Sequence, residues 1–203
     1  MGFTLVELMV VVALMSVIAA IAILRMRKQN LQTEVDEWSN RFIQSVNQAR
    51  RRAVSTHQTY MLDVRETTMQ WCLVDPATVT ANVTTQTACP PATAGLDQGP
   101  LERARPGATF VKYANGVDDQ GAGAVYTPPI KTNLSGASAL VFFGPNGTVS
   151  SSYLTATASG QVATGFTIYA EPTAGESHYK EQKRQRVVVL GPSGRTRLIA
   201  NWQ

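Results

Sequence analysis

An apolar stretch opens the chain. It reads Phe3-Thr4-Leu5-Val6-Glu7-Leu8-Met9-Val10-Val11-Val12 and continues as Ala13-Leu14-Met15-Ser16-Val17-Ile18-Ala19-Ala20-Ile21-Ala22-Ile23-Leu24. At a rise of about 1.5 Å per residue, a helix over residues 3–24 is about 33 Å long, which is enough to cross a hydrocarbon layer of about 30 Å. The sequence therefore predicts a transmembrane helix over residues 3–24.

Glu7 is the unusual residue of this stretch. From Leu8 to Leu24 the chain has no charged residue, and Ser16 is its only polar one. An ionisable side chain within an apolar span costs free energy, and such a group usually has a partner and a function. We therefore expect Glu7 to have a functional role.

The second half of the predicted helix is amphipathic. An apolar stripe continues at steps of three and four residues, and neither proline nor glycine occurs between Phe3 and Ala53. Both features predict one helix of about fifty residues, with residues 25–55 as its amphipathic half. We expect the stripe to pack on the chain's own sheet, with Trp38 and Phe42 as anchors. The stripe consists of Leu31, Val35, Trp38, Phe42, Val46, Ala49 and Ala53.

The remainder of the chain predicts strands. About 180 residues follow the apolar stretch, enough for one domain, and a net charge of +4 does not by itself indicate a partner. Residues 56–203 are expected to form an antiparallel β domain, so the fold class is α+β, with a long N-terminal helix packed on an antiparallel sheet. Residues 75–106 lack either period and are predicted to form a long surface loop. The strand candidates are residues 60–64, 69–74, 109–113, 139–143, 148–149, 165–170, 185–190 and 195–200.

Two cysteines, Cys72 and Cys89, follow the predicted membrane helix. We expect them to form a disulfide if the domain lies outside the cytoplasm; the alternative is two unrelated buried thiols. The basic residues Arg25, Arg27 and Lys28 would instead hold this flank in the cytoplasm. Basic residues upstream of Met1, or a dedicated assembly machine, would resolve this conflict.

The start of the chain resembles the signature of type IV pilins and of the pseudopilins of type II secretion. The resemblance lies in Gly2-Phe3-Thr4-Leu5-Val6-Glu7-Leu8-Met9-Val10-Val11 and the helix that follows. It implies that a prepilin peptidase cuts between Gly2 and Phe3, that Phe3 is then N-methylated, and that Glu7 aids assembly by meeting the N-terminal ammonium of a neighbouring subunit.

The sequence departs from that signature at two points. Only Met1 and Gly2 precede Phe3, as a residual leader, whereas such leaders normally carry basic residues. A longer leader would account for this and for the topology conflict. Many pilins also carry a kinking proline near the end of the apolar run, where this chain has Leu24, so no proline kink is expected.

The C-terminal half resembles the GspH/FimT (FimU)-type minor pilins and pseudopilins. The resemblance lies in Leu140-Val141-Phe142-Phe143 with its Pro-Asn-Gly turn, and in the final hairpin with Gly194-Arg195-Thr196-Arg197. It implies a minor pilin that primes assembly at or near the filament tip; the alternative is a minor pseudopilin of a type II secretion system. Its partners would be other minor and major pilins, prepilin peptidase and the inner-membrane assembly platform. Its location would be the inner membrane, single-pass with a periplasmic domain, and then the pilus at the cell surface.

Basic residues of the final hairpin indicate a third function. A similar Gly-Arg-x-Arg element in some FimT-type pilins is linked to DNA binding during transformation. Arg195 and Arg197 alternate along a strand and should share one face, where they could bind phosphates without reading sequence. The alternatives are an edge strand protected from aggregation by charge, or contacts to another pilin. Nearby basic residues are Lys180, Lys183, Arg184 and Arg186.

Catalytic and cofactor sites are not predicted. His57 and His178 are far apart in sequence and lack the spacing of metal ligands. The glycine-rich turns lack the strand–loop–helix setting of a phosphate-binding loop, and no Gly-x-Ser-x-Gly element occurs. The sequence therefore predicts a structural subunit that is not an enzyme and that needs no metal or cofactor.

Overall fold

One long helix begins the structure. The computed structural model describes residues 5–80, 83–91, 95–117, 131–151, 165–173, 184–191 and 193–200, with the side chains of residues 22–31 outside that description. Helix α1 spans Leu5–Thr56, 52 residues, which confirms the prediction of a single helix of about fifty residues. Within the described residues, no helix has an apolar segment long enough to cross a membrane.

The end of α1 has a local cause. Ser55 Oγ and Thr56 Oγ1 both donate hydrogen bonds to the Arg52 carbonyl, at 3.1 and 2.8 Å. His57 then adopts φ +55°, in the left-handed region that commonly ends helices. The chain leaves the helix at this residue and enters the first strand three residues later.

In the described part of the chain, two five-stranded sheets and one small hairpin follow α1. The first sheet has the order β5-β2-β1-β8-β9, and the second has the order β12-β11-β10-β6-β7. All paired strands are antiparallel. The strands are β1 Tyr60–Val64, β2 Thr68–Leu73, β3 Val79–Thr80, β4 Val83–Thr84, β5 Glu102–Arg103, β6 Ala108–Ala114, β7 Lys131–Asn133, β8 Ala139–Phe143, β9 Val149–Ser150, β10 Phe166–Pro172, β11 Gln185–Val189 and β12 Thr196–Ala200.

The strand predictions are confirmed except in the first long loop and at β7. Both hairpins, β1–β2 and β11–β12, form where alternation predicted them. The expectation of an unstructured loop over 75–106 is wrong in part, because a 3₁₀ helix at Pro76–Thr78 and strands β3, β4 and β5 lie within it. These elements are two or three residues long, too short to show a period. The single sheet that we expected is divided into two.

The apolar stripe of α1 packs on both sheets. Six stripe residues with described side chains are at most 1% exposed, namely Val35, Trp38, Phe42, Val46, Ala49 and Ala53, whereas the Leu31 side chain lies outside the description. Trp38 stacks on Phe110 of β6 with ring centroids 5.0 Å apart. Phe42 lies 5.7 Å from Phe110 and 6.4 Å from Phe166 of β10. The prediction that Trp38 and Phe42 anchor the helix is confirmed.

A second, smaller cluster lies on the other face of the first sheet. Met61, Cys72, Val74 and Phe142 are buried there, with Val79 and Cys89 packed against them. Cys72 and Cys89 are joined in a disulfide whose Cα atoms are 5.7 Å apart. The disulfide holds the segment of the 3₁₀ helix and β3–β4 close to this face of the sheet.

Asp63 lies on the same face of β1 as Met61 and is buried. Arg65 Nη2 lies 3.3 Å from its Oδ2 atom, while Oδ1 has no hydrogen-bond partner among the described residues. Burial raises the pKa of Asp63, against the opposing effects of the Arg65 guanidinium and the Cys89 backbone N–H.

We predict that Asp63→Asn stabilises the protein near pH 7. Because the pKa of Asp63 is higher in the folded state, the folded chain holds a proton that the unfolded chain has lost between the two pKa values. Stability therefore falls as pH rises through that interval, and an uncharged side chain removes the loss. Thermal unfolding of both forms as a function of pH measures this. The advantage of Asp63→Asn should shrink as pH falls towards the ordinary aspartate pKa; a variant less stable at every pH would contradict the prediction.

Candidate functional site

The first half of α1 forms an exposed apolar surface. Twelve large apolar side chains between Leu5 and Ile21 are exposed, with Leu5 at 76% and Ile18 at 67%. Ser16 turns its hydroxyl inward and donates to the Val12 carbonyl at 2.8 Å, so even the one polar side chain between Leu8 and Ile21 is bonded to the backbone. Between Leu8 and Ile21 the helix is therefore apolar on every side.

Exposing this apolar surface to water costs free energy. Burying one large apolar side chain is worth about 1.5–3 kcal/mol, so covering twelve partly exposed ones is worth on the order of 20 kcal/mol. That is more than the whole stability of a typical domain, about 5–15 kcal/mol. Covering this surface with other apolar groups would therefore be strongly favourable.

Glu7 lies in the first turn of the helix and is exposed. A carboxylate in this position is favoured by the partial positive charge of the helix N-terminus. The four residues before the described part include Gly2 and Phe3, which lie outside the described residues. The structure thus places Glu7 in the first turn of α1, before the uncharged apolar segment that begins at Leu8.

A second candidate site lies on the β11–β12 hairpin. Gly194 N donates to the Leu190 carbonyl at 2.7 Å, and Leu190 N donates to the Arg195 carbonyl at 2.8 Å. Gly194 has φ +61°, which glycine adopts without strain. These bonds close the turn and begin β12, which is the edge strand of the second sheet. Arg195 and Arg197 are both exposed beside this edge.

The other predicted DNA-binding residues are placed differently. Arg186 is only 6% exposed because β11 is an inner strand whose five residues are all buried. This corrects the expectation that it lies on an accessible basic surface. Arg184 Nε lies 3.1 Å from Glu171 Oε2, so its charge is balanced locally. Lys180 and Lys183 lie outside the described residues. The accessible pair among the described candidates is therefore Arg195 and Arg197.

Arg50 is a residue that the sequence analysis missed. Its Nε atom donates to the Gly147 carbonyl at 3.0 Å, in the turn between β8 and β9. A Cβ atom added to Gly194 would lie 2.5 Å from the same Nε, so Arg50 also packs against the β11–β12 turn. Both turns were predicted, but their meeting on one helix residue depends on tertiary structure. The one signal in the sequence was the run Arg50-Arg51-Arg52 on the amphipathic half.

The described part of the chain has no group of three or more His, Cys, Asp or Glu side chains that could hold a metal ion. His57 is exposed at the end of α1, and His178 lies outside the described residues.

The N-terminal stretch matches a known family model. Residues 2–23 match the prokaryotic N-terminal methylation motif. The chain therefore carries this motif at its N-terminus, and the motif covers Gly2, Phe3 and Glu7 together. The long helix packed on antiparallel sheets is the α+β architecture that the sequence predicted.

Solved structures give a weaker similarity. Two structures of the minor pseudopilin EpsH from the type II secretion system of Vibrio cholerae match at 16% and 15% identity, with TM-scores of 0.44 and 0.46. The matches cover 84% and 85% of this chain and 99% and 97% of those chains. A likeness at this level does not identify a function. Among curated proteins, none matches the sequence significantly.

Proposed function

We propose that this pilin-like protein is a minor pilin that primes assembly of a type IV pilus and stays at or near its tip. The observation that carries the proposal is the exposed apolar half of α1, whose residues Leu5 to Ile21 lie within the match to the methylation motif. In the membrane, lipid covers this surface; in a filament, the helices of neighbouring subunits cover it. Its function is assembly, without catalysis by this chain.

The residues of the motif have successive roles in this proposal. Prepilin peptidase cuts between Gly2 and Phe3, and Phe3 is N-methylated. Residues 3–24 hold the chain in the inner membrane with its domain in the periplasm, until the assembly platform moves it into the filament. Glu7 then pairs with the N-terminal ammonium of a neighbouring pilin. An uncompensated carboxylate in the apolar filament core would cost several kcal/mol, so this pairing favours one register of the two helices.

The choice of a minor pilin rests on the C-terminal region. The β8 strand with its Pro-Asn-Gly turn and the β11–β12 hairpin are the elements that resemble GspH/FimT-type subunits. The same resemblance includes minor pseudopilins, so a subunit of a type II secretion system is the direct alternative. The methylation motif and the helix are compatible with both a type IV pilus and a type II secretion system, so they do not separate the two proposals.

Deletion of the gene separates the two assemblies. We expect the deletion strain to lose surface pili and to keep protein secretion, and a plasmid copy of the gene to restore the pili. A plasmid copy carrying Glu7→Gln, which removes the charge at nearly constant volume, should fail to restore them. Loss of secretion with normal piliation would contradict the minor-pilin proposal and favour the pseudopilin.

DNA binding at the tip is a second candidate function. The observation that favours it is the exposure of Arg195 and Arg197 beside one edge strand. Two guanidinium groups on a protruding hairpin can contact phosphates without contacting bases, so this binding would be insensitive to sequence.

We predict that Arg195→Ala/Arg197→Ala weakens DNA binding about tenfold or more and lowers the salt dependence. Each lost phosphate contact should reduce the slope of log K against log salt by about 1. Fluorescence anisotropy of labelled duplex DNA with the full chain in detergent measures both quantities. Arg103→Gln, an exposed arginine on β5 of the other sheet, is the control. Equal affinity of the double variant and the wild type would refute this function.

A further inference from the structure

Arg50 holds two turns from different sheets. Its Nε donates to Gly147, and a Cβ on Gly147 would come within 3.3 Å of its Nη2 atom. A Cβ on Gly194 would lie 2.6 Å from Arg50 Cδ and 3.1 Å from Cζ. The guanidinium therefore lies between the β8–β9 turn and the β11–β12 turn, and glycine at both positions leaves the space that it occupies.

Most donors of this guanidinium are not used by the described residues. An arginine offers five N–H donors, and the described part of the chain supplies one acceptor, the Gly147 carbonyl. No carboxylate among the described residues lies within ion-pair distance of Arg50. By contrast, at least one carboxylate lies within that distance of each of five other arginines, namely Arg41, Arg52, Arg65, Arg105 and Arg184. Arg50 is half-buried, so its charge is held in a fixed position beside the turn.

This position is next to Arg195. Arg195 directly follows Gly194, the residue against which Arg50 packs, and its backbone N–H donates to Ser193 Oγ at 3.3 Å. The turn that carries Arg195 is thus fixed by its own backbone bonds and by the helix below it. Arg50, which packs beside this turn, and the exposed Arg195 that follows Gly194 both bring positive charge to the β11–β12 turn. The packed Arg50 side chain would lose little conformational freedom on binding an anion.

We propose that Arg50 and the turn at Gly194–Arg195 together bind one phosphate group of a nucleic-acid backbone. This inference rests on the second candidate function, DNA binding, and extends its site from the hairpin to the helix. Arg50 supplies the Nη1 and Nη2 donors, and Arg195 closes on the phosphate from the solvent side. Arginine is suited to this task because its planar fork matches two phosphate oxygens at once.

The experiment compares four variants of the full chain in detergent, with fluorescein-labelled duplex DNA of mixed sequence as the probe. Arg50→Gln removes the positive charge. Arg50→Lys keeps the charge and the aliphatic part of the side chain but replaces the planar guanidinium group with an ammonium group. Arg195→Ala/Arg197→Ala tests the parent function, and Arg103→Gln repeats the change in net charge on the other sheet. Anisotropy is measured over a series of salt concentrations, and thermal unfolding of each variant is recorded.

We expect Arg50→Gln to weaken binding about five- to tenfold and to reduce the salt slope by about 1, as one lost phosphate contact does. Arg50→Lys should lose about threefold in affinity and keep most of the slope, and Arg103→Gln should change neither. Wild-type binding by both Arg50 variants, with a loss only in Arg195→Ala/Arg197→Ala, would overturn this inference and leave the function standing. Absence of salt-sensitive binding by the wild type would overturn both. If Arg50→Gln does not fold, the affinity of Arg50→Lys for the labelled DNA decides between the outcomes. A threefold loss of affinity supports the phosphate site, and wild-type affinity refutes it.

Discussion

Replacing Phe42 by alanine is expected to lower the free energy of unfolding by about 3–5 kcal/mol. The Phe42 side chain is fully buried where α1 meets the second sheet, against Phe110 of β6 and Phe166 of β10. Its removal leaves a cavity between elements that are far apart in sequence, and neither ring can move to fill the space without leaving its own contacts. Chemical denaturation of the full chain in a mild detergent measures the change.

Asn40→Ala is the matched control, because Asn40 lies two residues away on the exposed side of the same helix. We expect that substitution to change the stability by no more than about 0.5 kcal/mol. Equal, small effects of the two substitutions would show that the amphipathic half of α1 does not pack on the sheets in solution.

Removing the disulfide with Cys72→Ser/Cys89→Ser is expected to cost about 3 kcal/mol. The two cysteines are 17 residues apart, and closing a loop of that size restricts the unfolded chain by about this amount. The folded state also loses packing, because the Cys72 side chain is fully buried beside Met61 and Phe142. The expected result is a lower midpoint of thermal unfolding.

A reductant provides the control for that prediction. The structure describes no free cysteine, so reduction should lower the unfolding midpoint of the wild type towards that of the double variant. It should leave the double variant unchanged. A wild type that is insensitive to reductant, with a destabilised double variant, would show that packing at Cys72 matters and that the covalent bond does not.

The long elements of this fold could be read from the sequence because each has a strong period. The stripe from Val35 to Ala53 repeats every three to four residues, and the alternation of Tyr60, Leu62 and Val64 with Met61 and Asp63 indicates a strand. The division into two sheets could not be read, because both sheets pack on the same helix and their strands show the same alternation. Strands β3, β4 and β5 have two residues each, which is too short for any period.

The two candidate sites also differ in how far the sequence predicted them. Gly2, Phe3 and Glu7 lie in a linear motif, so a resemblance along the sequence was sufficient to predict them as a set. The basic hairpin was predicted from the resemblance of Gly194-Arg195-Thr196-Arg197 and from nearby basic residues, and sequence neighbours do not show which side chains are covered. Arg186 is buried because β11 acquires neighbours on both edges, and Arg50 joins the hairpin because two turns close on the helix. Both facts depend on contacts across the chain.

We propose that this chain is processed at its N-terminus and then built into a filament. Mass spectrometry of the protein recovered from filaments sheared off the cells tests this proposal. We expect the chain to be present in this fraction and to begin with N-methylated Phe3. A chain that remains in the membrane and keeps the residues before Phe3 would contradict it.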